Sequence, residues 1–308
     1  MPKRVTWKHR HLLGLEDLSP GEILAVLAKA DSFRKGGRLR RTKDLKGKVV
    51  CLCFFESSTR TSNSFAQAAK RLGADVMTVN VASSSVNKGE TLTDTAKNLE
   101  AMGADVVVLR HPAPGAPHLL SKRIGASVVN AGDGAHEHPT QALLDILTIR
   151  DRFGSLKGLK VAIIGDIAHS RVARSGIWGL TRLGAKVTVV GPATLIPKEI
   201  ETLGVDVCHD IDQVLETCDV FNFLRIQFER QALSPFPSLR EYSRLYGMNA
   251  ERAERMKPRA ILMHPGPVNR GVEITPEVAD GPRSVILRQV TNGLAVRMAV
   301  LSLVAGRG

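Results

Sequence analysis

Short apolar runs rich in Val and Ile alternate with helical stretches along most of the chain. Each run is nearly continuous rather than alternately polar and apolar, which is typical of strands covered on both faces of a parallel sheet. We predict such strands at residues 48–55, 75–80, 105–110 and 127–131, and a second set at 160–165, 186–190, 205–208, 219–224 and 259–263. Strands that alternate with helices in this way indicate a doubly wound α/β architecture.

The helices between these runs have recognisable start and stop signals. Ser19, Pro20 and Glu22 predict a capping box with proline at the first helical position. Two later helices should end at Gly73 and Gly103. Their apolar faces are predicted as Phe65, Ala69 and Leu72, and as Leu92, Ala96, Leu99 and Met102. A long helix is predicted over 139–153, and the last from about 292 to 304, with Leu294, Met298, Leu301 and Leu303 or Val304 as its apolar stripe.

The length of 308 residues exceeds the size at which single hydrophobic cores usually stop growing. We therefore expect two doubly wound parallel-sheet domains joined by interdomain helices. The first domain would comprise residues 1–148 and be completed by a C-terminal helix over 289–308. The second would comprise residues 149–288.

Composition excludes several classes of protein. At 43% hydrophobic residues, the chain has ample apolar material for a core, so extensive disorder is excluded. The absence of a long apolar run and of an apolar signal region predicts a cytoplasmic protein that does not span a membrane. The four cysteines, Cys51, Cys53, Cys208 and Cys218, lack the spacing of a zinc site. We expect them to be structural thiols without disulfides.

The net charge of +13 is concentrated near the start, where residues 1–48 contain thirteen Lys or Arg and five Asp or Glu. A nucleic-acid-binding protein could have this charge. However, only 4% of the residues are aromatic, so a base-stacking surface is not expected. We interpret the segment as a solvated basic face that could also attract small anions, and expect no nucleic-acid partner.

The segment from Phe54 to Ser62 carries the strongest signal for chemistry. An apolar strand ends there, and hydroxyl residues surround Arg60 where a helix begins. A helix N-terminus offers unpaired N–H groups and a positive dipole end, which favour an anion. A helix cap alone would explain one hydroxyl, but not Ser58, Thr59 and Thr61 together with an arginine. The pattern therefore predicts a phosphate site.

Two more polar clusters follow predicted strands: Arg110-His-Pro, and the segment from Asn130 to Gln141 that contains His138. Ligands in open α/β sheets bind outside the carboxyl ends of the strands. We therefore expect these loops to converge with the Ser58–Thr61 turn.

Ordered motifs along essentially the whole chain resemble the aspartate/ornithine carbamoyltransferase family, and specifically its aspartate-dependent members. The motifs are Ser58-Thr-Arg-Thr, Lys88-Gly-Glu-Thr, Arg110-His-Pro, His138-Pro-Thr-Gln, Gly165-Asp followed by Arg171, Arg225-Ile-Gln227, and His264-Pro-Gly-Pro267. The resemblance implies transfer of the carbamoyl group from carbamoyl phosphate to the amine of L-aspartate, an early committed step of pyrimidine biosynthesis.

The resemblance also implies roles for individual residues. Carbamoyl phosphate would be bound by Ser58, Thr59, Arg60, Thr61, Arg110, His138, Gln141 and the backbone of Gly266 and Pro267, and by Ser84 and Lys88 from a neighbouring subunit. Arg60, Thr61, Arg110 and His138 would be catalytic, and Thr61, Arg110 and His138 would surround the carbonyl oxygen. Aspartate would be bound by Lys88, Arg171, Arg225 and Gln227. Glu56 would pair with Arg171 and Arg230 when the domains close.

Sites shared between neighbours imply a homotrimer. Family members work as bare trimers, with separate regulatory chains, or docked to dihydroorotase, and the sequence leaves these alternatives open.

The residue chemistry independently suits this reaction, because several negative charges must be neutralised at once and guanidinium groups pair bidentately with carboxylates. Donors on the former carbonyl oxygen would stabilise the tetrahedral intermediate. Phosphate can itself accept the amine proton, so the scheme requires no protein base, metal or organic cofactor.

Two other enzyme classes share part of this pattern. Ornithine carbamoyltransferases would share the phosphate half of the site, but carry a His-Cys-Leu-Pro motif where this chain has His264-Pro-Gly-Pro267. Arg225 would also repel the ammonium group of ornithine. A dinucleotide-binding enzyme is suggested by Val161-Ala-Ile-Ile-Gly-Asp, but the other glycines of that fingerprint are missing.

Overall fold

A computed structural model of the chain describes residues 7–35, 38–80, 90–226 and 238–306. These residues form two compact units. The first contains the described residues up to Leu144 together with those from Thr291 onward, and the second is Asp145–Val290. Within the described ranges, no helix combines the length and the apolar character needed to cross a membrane.

The first unit contains a four-stranded parallel sheet and a two-stranded antiparallel hairpin. The hairpin consists of β1 (Arg34–Lys35) and β2 (Arg38–Leu39), and the sheet of β3 (Val49–Phe54), β4 (Asp75–Asn80), β5 (Val106–His111) and β6 (Ser127–Asp133). The strand order is β4-β3-β5-β6.

The second unit contains a five-stranded parallel sheet with the order β11-β10-β7-β8-β9. Its strands are β7 (Lys160–Ile164), β8 (Lys186–Val190), β9 (Asp206–Cys208), β10 (Val220–Phe223) and β11 (Ile261–Met263). All the strands predicted from the apolar runs are present, each within two residues at either end. The predicted parallel α/β fold class is confirmed.

Helices connect the strands in both units. They are α1 (Pro20–Phe33), α2 (Thr59–Arg71), α3 (Leu92–Ala101), α4 (Ala116–Ser121), α5 (Pro139–Phe153), α6 (Arg171–Arg182), α7 (Leu239–Tyr246), α8 (Ala250–Arg255), α9 (Pro276–Ala279) and α10 (Ile286–Ala305). The predicted capping box at Ser19 and Glu22 is confirmed, with proline in the first turn. The predicted helix over 139–153 is also confirmed.

Two local predictions need correction, and one element was not predicted. Helix α10 begins at Ile286 rather than near residue 292. The prediction placed its start too late because Gln289, although buried, is polar and interrupts the apolar stripe. Its side chain donates from Nε2 to Asp145 Oδ1 at 2.8 Å and accepts from the His264 N–H at 3.0 Å. Met102 follows the end of α3 and is 60% exposed, so it is not part of that helix's buried face. The hairpin of β1 and β2 was not predicted.

The last part of the chain contributes polar contacts to the first unit. Ser127 Oγ donates to the backbone oxygen of Val304 at 3.0 Å, and Arg297 Nη1 donates to Ser64 Oγ at 2.9 Å. Helix α10 is therefore hydrogen-bonded to two separate parts of that unit.

Candidate active site

The turn between β3 and α2 has the features of an anion site. Ser58 occupies the N-cap position of α2, with extended backbone (φ −159°, ψ 91°), but its side chain makes no capping hydrogen bond. The Ser62 N–H donates to the Ser58 carbonyl at 3.2 Å, as expected in the first turn of a helix. Since the Ser58 hydroxyl does not cap α2, the N–H groups of the first turn are not consumed by it and can serve an anion.

The other members of the predicted turn differ in exposure. Thr61 is 7% exposed, whereas Thr59 and Arg60 are exposed and Ser58 is half-buried. A buried hydroxyl close to exposed polar groups is suited to contact the inner side of a bound ligand. The structure thus brings together the hydroxyls and the arginine that the sequence singled out.

Arg110 lies against this turn from the neighbouring strand β5. Its Nη1 donates to Ser58 Oγ at 3.4 Å, and its Nε donates to Glu56 Oε2 at 3.1 Å. Both the arginine and the glutamate are mostly buried. Glu56, which the family resemblance implied would pair with Arg171 and Arg230 on closure, is paired here with Arg110 of the first unit.

A register shift between β5 and β6 marks the position of Arg110. Leu109 pairs with Asn130, but His111 pairs with Asp133, so β6 contains one extra residue at this point. Bulges of this kind re-aim side chains and occur next to active sites. His111, by contrast, packs its ring 4.8 Å from that of Phe55, and burial lowers its pKa.

His138 and Gln141 are placed at the start of α5, where β6 leads into the helix. They are 5% and 8% exposed respectively. The carbonyl of His138 accepts the Gln141 N–H at 3.0 Å, so the two residues share the first helical turn. In the strand order β4-β3-β5-β6, the carboxyl ends of β3, β5 and β6 are neighbours. The predicted convergence of the Ser58, Arg110 and His138 segments at one edge of the sheet is confirmed.

Two buried carboxylates hold the segment that leads to His138. Asp133 is fully buried and accepts from Asn130 Nδ2 at 2.8 Å and from the Glu137 N–H at 3.0 Å. Glu137, also fully buried, accepts from the Leu15 N–H at 2.9 Å. Burial acts to raise the pKa of Asp133, but hydrogen bonds, chiefly from His136 and Asn130, outweigh it and lower the pKa. These acids hold the loop in place through hydrogen bonds to its backbone and to Leu15, a role that the sequence did not reveal.

The second unit presents a matching set of strand ends. Arg171 follows β7 as the first residue of α6 and is only 5% exposed. Ser170 caps that helix by accepting the Ala173 N–H at 3.1 Å. Arg225 follows β10 and is half-buried. Because β7 and β10 are neighbouring parallel strands, both arginines are introduced at the same edge of the sheet.

The segment from His264 to Pro267 follows β11, the next strand at that edge. His264 is buried, and its Nδ1 accepts the Gly266 N–H at 2.8 Å. Gly266 has a backbone φ of +69°, which residues other than glycine rarely adopt. It precedes a cis peptide bond to Pro267. A hydrogen bond from the backbone to the histidine ring thus sets the path of this segment.

Glu273 connects two of these loops and was not identified from the sequence. Its buried carboxylate accepts the Ile226 N–H at 2.9 Å, directly after Arg225. The same carboxylate accepts both the N–H and the side-chain amide of Asn269, each at 2.7 Å. No local motif marks an acid that bonds a backbone group 47 positions earlier, so the sequence pattern did not reveal Glu273.

Four predicted site residues lie outside the described residues: Ser84, Lys88, Gln227 and Arg230. Their assignments remain predictions.

Both halves of the chain match domains of one known protein family. The carbamoyl-P binding domain of aspartate/ornithine carbamoyltransferase matches residues 10–151, and the Asp/Orn binding domain matches residues 157–304. The aspartate carbamoyltransferase catalytic subunit of Halothermothrix orenii is 58% identical, over 97% of this chain and 96% of that protein. The protein of the same name from Moorella thermoacetica is 56% identical, over 97% of this chain and 98% of that protein.

Solved structures are similar over the same extent. Aspartate transcarbamoylase from Trypanosoma cruzi in complex with carbamoyl phosphate and aspartate is 34% identical, with a TM-score of 0.87 and 98% of each chain covered. The same enzyme in complex with N-(phosphonacetyl)-L-aspartic acid is 35% identical, with a TM-score of 0.86 and 96% of each chain covered. The chain therefore belongs to the aspartate/ornithine carbamoyltransferase family, as its motifs predicted.

Proposed function

We propose that this protein is an aspartate carbamoyltransferase, which converts carbamoyl phosphate and L-aspartate to N-carbamoyl-L-aspartate and phosphate in pyrimidine biosynthesis. The observation that carries the choice of aspartate is the placement of Arg171 and Arg225 after the neighbouring strands β7 and β10. Two guanidinium groups at one sheet edge suit a dicarboxylate and disfavour a cationic second substrate. The curated relatives named above carry the same activity in their names.

In this proposal the first unit binds carbamoyl phosphate. The phosphate is held at the N-terminus of α2 by Ser58, Thr59, Arg60 and Thr61, with Arg110 approaching from β5. Support comes from the uncapped helix start and from the 3.4 Å contact between Arg110 Nη1 and Ser58 Oγ. Gln141 and the backbone of Gly266 and Pro267 hold the carbamoyl amine.

The chemical step is attack of the aspartate amine on the carbamoyl carbon. The resulting tetrahedral intermediate places negative charge on the former carbonyl oxygen, which Thr61, Arg110 and His138 stabilise by donating hydrogen bonds. Loss of one such fixed donor typically lowers turnover by about 100- to 1000-fold. The C–O bond to phosphate then breaks, and the departing phosphate takes the amine proton, so no metal or organic cofactor enters the step.

The active assembly in this proposal is a homotrimer in which Ser84 and Lys88 complete the site of a neighbouring chain. Lys88 assists Arg171, Arg225 and Gln227 in binding aspartate. Glu56 and Arg230 pair when the domains close.

Mixing two inactive variants, Lys88→Ala and Arg110→Ala, tests whether neighbouring chains share their active sites. Reassembled mixtures regain activity if each site draws on two chains, and stay inactive if each chain holds a whole site.

The decisive experiment measures phosphate release from carbamoyl phosphate by the purified chain, with L-aspartate or L-ornithine as second substrate. Aspartate-dependent release is expected. Ornithine-dependent release would overturn the assignment of Arg225 while retaining the phosphate site. If neither substrate gives release, calorimetry with carbamoyl phosphate distinguishes two cases. Binding would show that the phosphate site is present in an inactive assembly, and no binding would show that the site is absent.

A further inference from the structure

A group of potential metal ligands lies on the first unit, outside the residues assigned to either substrate. His118 belongs to α4, while Asp133 and His136 lie at the end of β6 and in the turn that follows. One ligand atom from each of the three residues lies within 4.8 Å of the other two. The rings of His118 and His136 are 5.6 Å apart between centroids and inclined at 67°. The fold therefore holds two imidazoles and a carboxylate together.

Asp133 fixes the orientation of one of these imidazoles. His136 Nδ1 lies 3.0 Å from Asp133 Oδ2. The same carboxylate also accepts the Gly115 N–H at 2.8 Å and the Glu137 N–H at 3.0 Å, so its position is set by the backbone. In metal sites, a carboxylate that accepts from one imidazole nitrogen selects the tautomer whose other nitrogen binds the ion. With Nδ1 directed at Asp133, a metal would be bound through Nε2 of His136.

A histidine paired with an aspartate three residues earlier does not by itself indicate a metal. The second unit contains the same pairing, with His169 Nδ1 at 2.9 Å from a buried carboxylate oxygen of Asp166. Among the described residues that second pairing is not part of any three-ligand group. What distinguishes the first unit is therefore the additional histidine, His118.

The chemistry and position of the group suit a transition-metal ion. Imidazole is a preferred ligand of Zn²⁺, Ni²⁺ and Cu²⁺, whereas Mg²⁺ and Ca²⁺ prefer oxygen. His118 and His136 are both half-buried, so an ion can reach them from solvent, while the carboxylate behind them is fully buried. We propose that His118 and His136 bind a divalent transition-metal ion, with Asp133 orienting His136 and water completing the coordination.

Such a site would be linked to the segment that carries His138. Asp133 accepts the N–H of Glu137, the residue that precedes His138. An ion on His136 would therefore stabilise the loop that the same carboxylate holds in place. Because the ion binds only the folded chain at this site, it raises the thermal midpoint of unfolding.

Zinc chloride titrated by calorimetry into the metal-stripped wild-type protein, in buffer without phosphate, tests the proposal. One ion per chain is expected. His118→Gln and His136→Gln should each weaken zinc binding by at least about tenfold, since even the loss of a residue that orients a ligand costs about 10- to 100-fold. The matched control is His169→Gln, which removes a histidine with the same aspartate pairing and should leave zinc affinity unchanged.

Two results would overturn the proposal: wild-type protein that takes up no stoichiometric zinc, or zinc affinity that is the same in His118→Gln, His136→Gln and wild type. X-ray absorption at the zinc edge of the wild-type protein gives an answer even if both variants fail to fold. Two imidazole ligands are expected. A sulfur shell would instead assign the zinc to a cysteine and reject this site. An excess of magnesium should not displace the zinc, because the ligating atoms are nitrogens.

Discussion

Arg110 donates from Nε to the carboxylate of Glu56 at 3.1 Å, and from Nη1 to the hydroxyl of Ser58 at 3.4 Å. The arginine and the glutamate are 15% and 17% exposed, so the pair is largely removed from solvent. An acid beside a phosphate site would ordinarily oppose binding of the anion. Here it fixes the plane of the guanidinium group, so its unfavourable charge is offset by the orientation it gives to Arg110.

Replacing Glu56 with glutamine tests these two effects separately. The glutamine oxygen can still accept from Arg110 Nε, whereas the negative charge is removed. We expect carbamoyl phosphate to bind about fivefold more tightly, equivalent to about 1 kcal/mol. Glu56→Ala removes the acceptor as well, and should lower turnover because Arg110 loses its orientation. Calorimetry with carbamoyl phosphate and steady-state kinetics provide the two measurements.

The proposed pairing of Glu56 on domain closure predicts an additional effect of Glu56→Gln, on the kinetics with aspartate. If the carboxylate is needed for closure, Glu56→Gln raises the aspartate KM and lowers turnover even as carbamoyl phosphate binds more tightly. Unchanged aspartate KM and turnover would remove the closure role and leave only the contact with Arg110.

Arg225→Ala should affect the two substrates unequally. Arg225 follows β10 in the second unit, whereas the residues proposed to bind phosphate lie in the first. We expect a raised aspartate KM and reduced turnover, with a much smaller change in carbamoyl phosphate affinity. Arg255→Ala is the matched control, because Arg255 is an exposed arginine of the same unit that pairs with Asp212. Equal losses for both substrates would contradict the assignment of Arg225 to aspartate.

Glu273 is expected to act as a positioning residue for the loop that begins at Arg225. In Glu273→Gln, an amide NH₂ replaces one of the accepting oxygens and faces an N–H of Ile226 or Asn269. Such a mismatch inside the protein should cost about 3 kcal/mol in the free energy of unfolding. It should also raise the aspartate KM without weakening carbamoyl phosphate binding.

Denaturant unfolding and substrate kinetics together check the Glu273 prediction. Glu254→Gln, an exposed acid of the same unit, should change neither quantity. A loss of stability with an unchanged aspartate KM would show that Glu273 supports the fold alone.

The cysteines should differ sharply in reactivity. Burial raises the pKa of Cys51 and Cys53 to about 12 and also raises that of Cys218, whereas Cys208 is half-buried. At pH 8 a thiol with a pKa near 12 is about 0.01% thiolate, and the thiolate is the reactive form. Iodoacetamide should therefore modify Cys208 first in the native protein, with the other three protected until unfolding. Peptide mass mapping after a short exposure provides the check, and rapid native labelling of Cys51 would contradict it.

The sequence predicted the parts of the structure that depend on local pattern. Every predicted strand is present because a strand covered on both faces must be continuously apolar, and that signal lies within a few neighbouring residues. The start of α1 was predictable for the same reason, since Ser19 and Glu22 satisfy each other across one helical turn. The family motifs likewise consist of residues close in sequence.

Residues that act across long separations were missed. Glu273 bonds the backbone of Ile226, 47 positions away, and the requirement for an acid exists only once the fold has brought these loops together. The early start of α10 was missed because Gln289 is buried only through its contacts with Asp145 and His264. The metal-binding proposal depends on His118, whose proximity to Asp133 follows from the packing of α4 beside β6.

The discontinuous first unit has a consequence for synthesis on the ribosome. Its sheet is encoded before residue 144, but the segment from Thr291 onward, which supplies the contacts of Arg297 and Val304, is translated only after the whole second unit. The unit that begins first therefore acquires its full set of contacts last. During translation, the surface that later receives α10 must stay exposed, or be shielded by chaperones, while Asp145–Val290 is being made.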